Sequence, residues 1–241
     1  MKVTDIKSIA KNVIKIESDA VAILEDRIDS FFESAVKSLF RCKGRLIIIG
    51  MGKSGIISQK IASTFSSTGT PAYFVHPSEA IHGDLGMITN QDVIILLSNS
   101  GETSELLQIL PALQKKKVTI IGLIGEEKST LSGKVDIFLN TSVEKEACTL
   151  DLAPTASTTA TLAMGDALAI SLLELKNFNK DDFAELHPGG MLGKKLLLTI
   201  DHLVRIEDEL PFVETTTTIK ETLLTISEKG LGVTGVLNKS K

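Results

Sequence analysis

Tryptophan is absent from the 241-residue chain, and tyrosine occurs once, at Tyr73. Aromatic residues make up only 4% of the sequence. The ring platforms on which single-stranded nucleic acid stacks are therefore scarce. No long basic run is present and the formal net charge is −4. A nucleic-acid reader needs the opposite electrostatic footprint. Purely apolar stretches such as Leu46–Ile49 and Val93–Leu97 are far too short to span a bilayer, which takes about 20 residues. Residues 1–20 carry charges throughout and lack an apolar core, so no secretory leader is expected. Cys42 and Cys148 are the only cysteines, too few for a disulfide framework and without metal-ligand spacing. They read as free thiols in a reducing cytoplasm.

What is present fits a folded protein. Hydrophobic residues make up 43% and charged residues 23%, values typical of a globular chain and unlike those of disorder. The length suits one large domain, or one domain plus a fragment of a second. The first forty residues read as helix, with Thr4 placed to cap and Ile6, Ile9, Val13 and Ile16 at helical spacing. A second amphipathic run takes in Ile28, Phe31, Phe32, Ala35 and Leu39. The period then changes. Leu46–Ile49 is a short β-rich run ending in glycine, as expected of a strand buried on both faces. Further strands are expected at Ala72–Val75, Val93–Leu97, Thr119–Ile124 and Ile137–Asn140, with helices at Ile56–Phe65 and Glu105–Gln114. Such alternation implies right-handed crossovers and a parallel sheet. Pro154 is expected at the first position of a long apolar helix running to about Leu175. Shorter helices follow at Lys180–Glu185 and Met191–Leu198. The character shifts near Arg205. Residues 206–241 are rich in Thr, Glu and Lys, with one helical pattern at Ile219–Ser227.

Two loops carry chemistry. Gly50-Met51-Gly52-Lys53-Ser54-Gly55 closes the first strand with dinucleotide-type glycine spacing. The acid that would hold an NAD ribose is missing from the end of the next strand, where His76-Pro77-Ser78 stands and the first acid is Glu79. The P-loop pattern fails as well, because its first glycine would fall at Ile47. What remains is a glycine turn at a helix N-terminus with one lysine and one hydroxyl, suited either to an anion or simply to a tight turn. The second loop, Ser98-Asn99-Ser100-Gly101-Glu102-Thr103-Ser104-Glu105, follows the third strand. A helix cap needs one hydroxyl, and this loop offers several together with Asn99. Hydroxyls and free backbone N–H groups form a phosphate cradle, and the low positive charge points to a monophosphate. In a doubly wound sheet the two loops meet at the switch point where ligands bind.

With these loops, the chain resembles the sugar isomerase (SIS) family, most closely the bacterial D-arabinose 5-phosphate isomerases of 3-deoxy-D-manno-octulosonate (Kdo) and lipopolysaccharide synthesis. Other runs carrying the likeness are Ser66 with Thr68-Gly69-Thr70-Pro71, His82-Gly83-Asp84-Leu85-Gly86-Met87, Lys145-Glu146-Ala147-Cys148, Ala153-Pro154-Thr155 and His187-Pro188-Gly189-Gly190. Together they cover about residues 1–205. Thr149 departs from the pattern, since proline commonly follows the Ala-Cys pair in the family.

The resemblance implies an α/β three-layer sandwich with a five-stranded parallel sheet and an N-terminal helical hairpin. It implies phosphate binding at Ser54, Ser98, Ser100 and Thr103, to which the loop reading adds Asn99. It places Lys53, His82, Glu105, Glu146 and His187 in catalytic positions. Aldose–ketose isomerisation moves a proton between C2 and C1 through a cis-enediolate, which calls for a base near the carbon and a cation or donors for the oxyanion. Glu146 is expected as the base and Lys53 as the oxyanion stabiliser. His187 would assist ring opening, and His82 and Glu105 would orient hydroxyls or relay protons. No cofactor is expected, nor a designed metal site, though His82 and His187 offer ligands for an inhibitory zinc. The resemblance further implies a cytoplasmic homotetramer, with residues 206–241 as an incomplete first CBS module. Two other readings stand beside it: a phosphosugar-sensing SIS domain without catalysis, and an NAD-binding Rossmann protein.

Overall fold

A computed structural model describes residues 5–189 and 210–238. The chain divides into two compact units after His187. The expected helix at Met191–Leu198 and the shift near Arg205 lie outside the described residues.

The first unit is a parallel sheet between two helical layers. Its elements in chain order are α1 (Ile6–Ala22), α2 (Ser30–Arg41), β1 (Leu46–Gly50), α3 (Gly52–Ser67), β2 (Ala72–Val75), α4 (Pro77–Ile81), β3 (Val93–Ser98), α5 (Ser104–Lys115), β4 (Thr119–Ile124), β5 (Ile137–Asn140), α6 (Ala156–Leu175) and α7 (Lys180–Leu186). The strand order is β2-β1-β3-β4-β5, every pair parallel. All five strands lie within one residue of their expected bounds.

The sheet faces separate by residue parity, because successive side chains point to opposite sides. Leu46, Ile48, Ile95, Leu97, Ile121 and Leu123 join a core with α2, α3 and α6. Ile47, Ile49, Ile94, Leu96 and Ile120 join a second core with Ala80 of α4 and with Leu106, Ile109, Leu110 and Leu113 of α5. Each fully buried Leu or Ile contributes about 1.5–3 kcal/mol of transfer free energy, so the central strands anchor the unit. α6 packs against α3, and both N-terminal helices pack against α6. Among the described residues α6 is the one helix long and apolar enough to cross a membrane. Here eight of its residues, from Ala156 to Leu172, are buried.

Two expected helix starts are corrected. Asp5, not Thr4, caps α1, its carboxylate accepting from the N–H groups of Lys7 and Ser8. An aspartate one residue nearer the helix serves the same orphan donors. Pro154 does not open α6. Thr155 is the capping position and Ala156 the first helical residue, so the proline stiffens the approach instead.

In the second unit β6 (Phe212–Glu214) pairs in parallel with β7 (Gly235–Leu237), and α8 (Ile219–Lys229) lies between them in sequence. Thr218 and Glu221 form a reciprocal capping box, and Gly230 ends α8 in the left-handed conformation. α8 has no buried residue, and Ile219 is 81% exposed.

Candidate functional site

Parallel strands bring the loops after β1 and β3 to the same end of the sheet. Gly50 and Gly55 mark the place where β1 and α3 touch. A Cβ on Gly55 would lie 2.7 Å from the Gly50 carbonyl oxygen, and one on Gly50 would lie 2.6 Å from Ser58 Oγ. Gly52 has φ +58°. All three glycines of the G-x-G-x-x-G spacing thus have a backbone reason. Lys53 and Ser54 follow in the first turn of α3, and Lys53 is exposed with no ion pair among the described residues.

The loop after β3 is held from beneath and from the side. Ser98 is buried, its Oγ 2.8 Å from Thr103 Oγ1 and accepting from the Gly101 N–H at 2.9 Å. Gly101 has φ +64°, and a Cβ there would overlap Ser129. Glu102 accepts from the Thr130 N–H, and Gly101 O accepts from the Leu131 N–H at 3.1 Å. The segment after β4 therefore braces the hydroxyl loop. Ser100 and Asn99 remain exposed. Thr103 occupies the capping position of α5, yet its hydroxyl makes no cap bond. It faces Ser98 instead.

A pocket of about 170 Å³ joins these parts. It is lined by Lys53, Ser54 and Asn99 on one side and by Pro154, Ser157, Thr158 and Thr161 at the start of α6 on another. Sequence reasoning missed the α6 contribution. The signal was the hydroxyl-rich opening Thr155-Ala156-Ser157-Thr158-Thr159 of an otherwise apolar helix.

Glu146 reaches this pocket through Ser157. Its Oε2 accepts from Thr155 N–H at 2.7 Å, Thr155 O–H at 3.0 Å and Ser157 N–H at 3.2 Å, and its Oε1 accepts from the Ser157 hydroxyl. Burial works to raise its pKa, and the Ser157 and Thr155 donors outweigh that, leaving it below the ordinary carboxylate value. The carboxylate also neutralises the exposed donors of the α6 N-terminus. Glu105 sits at the second residue of α5. Its own N–H first, then the Ser104 hydroxyl at 2.8 Å and the charge of nearby His76, lower its pKa. His82 ends α4 and is exposed.

His187 is elsewhere. It ends α7, stacked on Phe183 at 3.9 Å, with Nδ1 2.8 Å from the Phe183 carbonyl oxygen. The preceding Leu186 lines a cavity with Gly69, Pro71, Ala72 and Tyr73, at the start of β2. Lys53 follows the end of β1. The two lie at opposite ends of the sheet. No cluster of three potential metal ligands occurs among the described residues.

The SIS domain family matches residues 39–171. The arabinose 5-phosphate isomerase KdsD of Shigella flexneri is 49% identical over 230 residues, which are 95% of this chain and 70% of that protein. The chain belongs to the SIS family of arabinose 5-phosphate isomerases. A solved relative within that family fold, an Escherichia coli CFT073 protein in complex with arabinose 5-phosphate, is 45% identical with a TM-score of 0.72, covering 78% of this chain and 100% of that one. A Bacteroides fragilis structure described as a phosphosugar isomerase involved in capsule formation is 36% identical with a TM-score of 0.73, covering 78% of this chain and 99% of the other. The sheet and its flanking helices are thus common to this chain and the two solved relatives, and of the candidate site residues all but His187 fall within the matched residues 39–171.

Proposed function

We propose that the chain is an aldose–ketose isomerase interconverting D-arabinose 5-phosphate and D-ribulose 5-phosphate, feeding octulosonate synthesis in the cytoplasm. The observation that carries this reading is the pocket in which Lys53, Ser54 and Asn99 face the α6 start that holds Glu146. Ser54, Ser100 and Thr103 hold the phosphate, with Asn99 beside them, while Ser98, expected among these residues, is buried and shapes the loop from beneath through Thr103 and the Gly101 N–H. Lys53 sits at the oxyanion. Glu146, a carboxylate at neutral pH since its donors outweigh its burial, takes the proton from one carbon and returns it to the next. His82 and Glu105 orient hydroxyls. Incubation with a panel of pentose and hexose phosphates, followed by NMR, tests the assignment. Turnover of arabinose 5-phosphate alone among them is expected, and turnover of none would support a sensing domain instead.

The distance of His187 from Lys53 within one chain supports a site shared between subunits, with His187 arriving from a neighbour in a homotetramer. Exposed apolar residues on α1 and α2, among them Ile6, Ile14 and Phe31, supply surface for such assembly. Co-refolding inactive Lys53→Ala and His187→Ala chains should restore part of the activity. No recovery in mixed oligomers verified by mass spectrometry would argue against sharing. Residues 206–241 are read as part of a CBS module, with which the strand–helix–strand order β6, α8, β7 agrees.

A further inference from the structure

The two oxygens of Glu146 are unequally engaged. Oε2 accepts three hydrogen bonds, from the Thr155 N–H, the Thr155 hydroxyl and the Ser157 N–H. Oε1 accepts one, from the Ser157 hydroxyl. A carboxylate oxygen has two lone pairs, so Oε1 keeps one for an incoming proton while Oε2 is fully occupied. Among the described residues Ser157 alone both bonds this carboxylate and lines the pocket. It is 2% exposed and is the second residue of a long packed helix, so its hydroxyl cannot swing away.

We propose that Ser157 is a positioning residue for the isomerisation, fixing Glu146 Oε1 at the pocket wall as the proton-accepting atom. The proposal rests on Glu146 being the base. Thr155 anchors Oε2 from the side that does not line the pocket, and Ser157 sets the direction of the remaining lone pair. A base displaced by a fraction of an ångström loses rate without losing substrate affinity. The Ser157 hydroxyl also favours the charged carboxylate. Its loss moves the Glu146 titration upward, and with it the acid limb of kcat/KM against pH. Charged and titratable groups near Glu146 in the chain or across the pocket include Glu144 and Lys145 beside it, Asp151, which accepts its backbone N–H at 2.7 Å, Cys148 two residues on, Lys53 on the pocket wall of α3, and Glu17 of α1, bound to Thr159 of α6. None of them changes in the Ser157 variants.

A double-mutant cycle tests this with Glu146→Gln, Ser157→Ala and the pair, alongside Ser157→Thr, which keeps the hydroxyl. Thermal melts confirm folding. Ser157→Ala should lower kcat by tenfold or more with KM within about threefold, and shift the acid limb to higher pH. Ser157→Thr should recover most of the rate. The double variant should be no slower than Glu146→Gln alone, because a residue that acts through Glu146 has nothing left to position. Near-normal turnover in Glu146→Gln removes the base and the proposal together. A slow Glu146→Gln with multiplying losses in the pair, or an unmoved acid limb in Ser157→Ala, overturns the positioning role while leaving the base in place.

Discussion

Each end of the sheet holds a carboxylate that gathers backbone N–H groups. At the amino end Asp92 accepts from the Arg45 N–H and the Thr89 N–H, both at 2.7 Å, and from the Thr89 hydroxyl at 3.1 Å. At the other end Glu146 binds Thr155 and Ser157. In both, burial raises the pKa and the donors more than reverse it. The electrostatic signature is therefore the same, and it does not identify the working residue. Geometry does. The donors to Asp92 tie the starts of β1 and β3 together, and both of its oxygens are committed to that purpose. The donors to Glu146 include a side chain on the wall that Lys53 and Ser54 share.

The comparison is sharpest in turnover. Glu146→Gln should cut kcat by about 10² or more, in the 10²–10⁴ range of general bases, with phosphosugar binding retained. Asp92→Asn should leave kcat within twofold. Equal losses in steady-state assays of the two would erase the distinction. The cradle comes next. Ser100→Ala and Thr103→Ala each remove a hydrogen bond to a charged phosphate, about 1.5–3 kcal/mol, so calorimetry should show affinity lower by tenfold or more.

Stability should reverse the ranking. Asp92→Asn replaces an acceptor by an amide that faces N–H donors, at a cost of about 1.5–3 kcal/mol, so its melting temperature should fall by several degrees. The folded-state pKa of Asp92 is lowered, so its contribution is present above the ordinary carboxylate value and is lost as pH falls below it. Melts should therefore show the gap between wild type and variant closing below about pH 4, and a gap that widens there would contradict the sign. The smallest effect is expected from deleting residues 206–241, which should leave turnover and substrate affinity within about twofold.

The central strands were legible because both of their faces are buried, which leaves short uninterrupted apolar runs such as Leu46–Ile49. The hydroxyl loop was legible because its residues are adjacent in sequence. Glu146 was legible only through the family resemblance, because its run of charges by itself reads as a solvated loop. Its partners stand nine and eleven residues further on, in the opening of α6, and only the fold brings them back. The same holds for Ser157, Thr158 and Thr161, which read as ordinary helix until β1 and β3 supply the opposite wall. His187 differs again, since its own chain sets it at the far end of the sheet and only a neighbouring subunit could bring it to Lys53.

The place of α6 in the chain order has a consequence for synthesis. β5 ends at Asn140 and α6 at Leu175. At roughly 5–20 residues per second, the ribosome needs a few seconds to make the helix that covers Ile48, Ile95 and Ile121. Until then every strand of the sheet exists while much of one apolar face lacks its cover. A nascent chain paused in that interval presents the surface that holdase chaperones bind and that neighbouring nascent chains can pair with. Slow codons between the end of β5 and the end of α6 should lower the yield of folded protein more than equally slow codons placed after it.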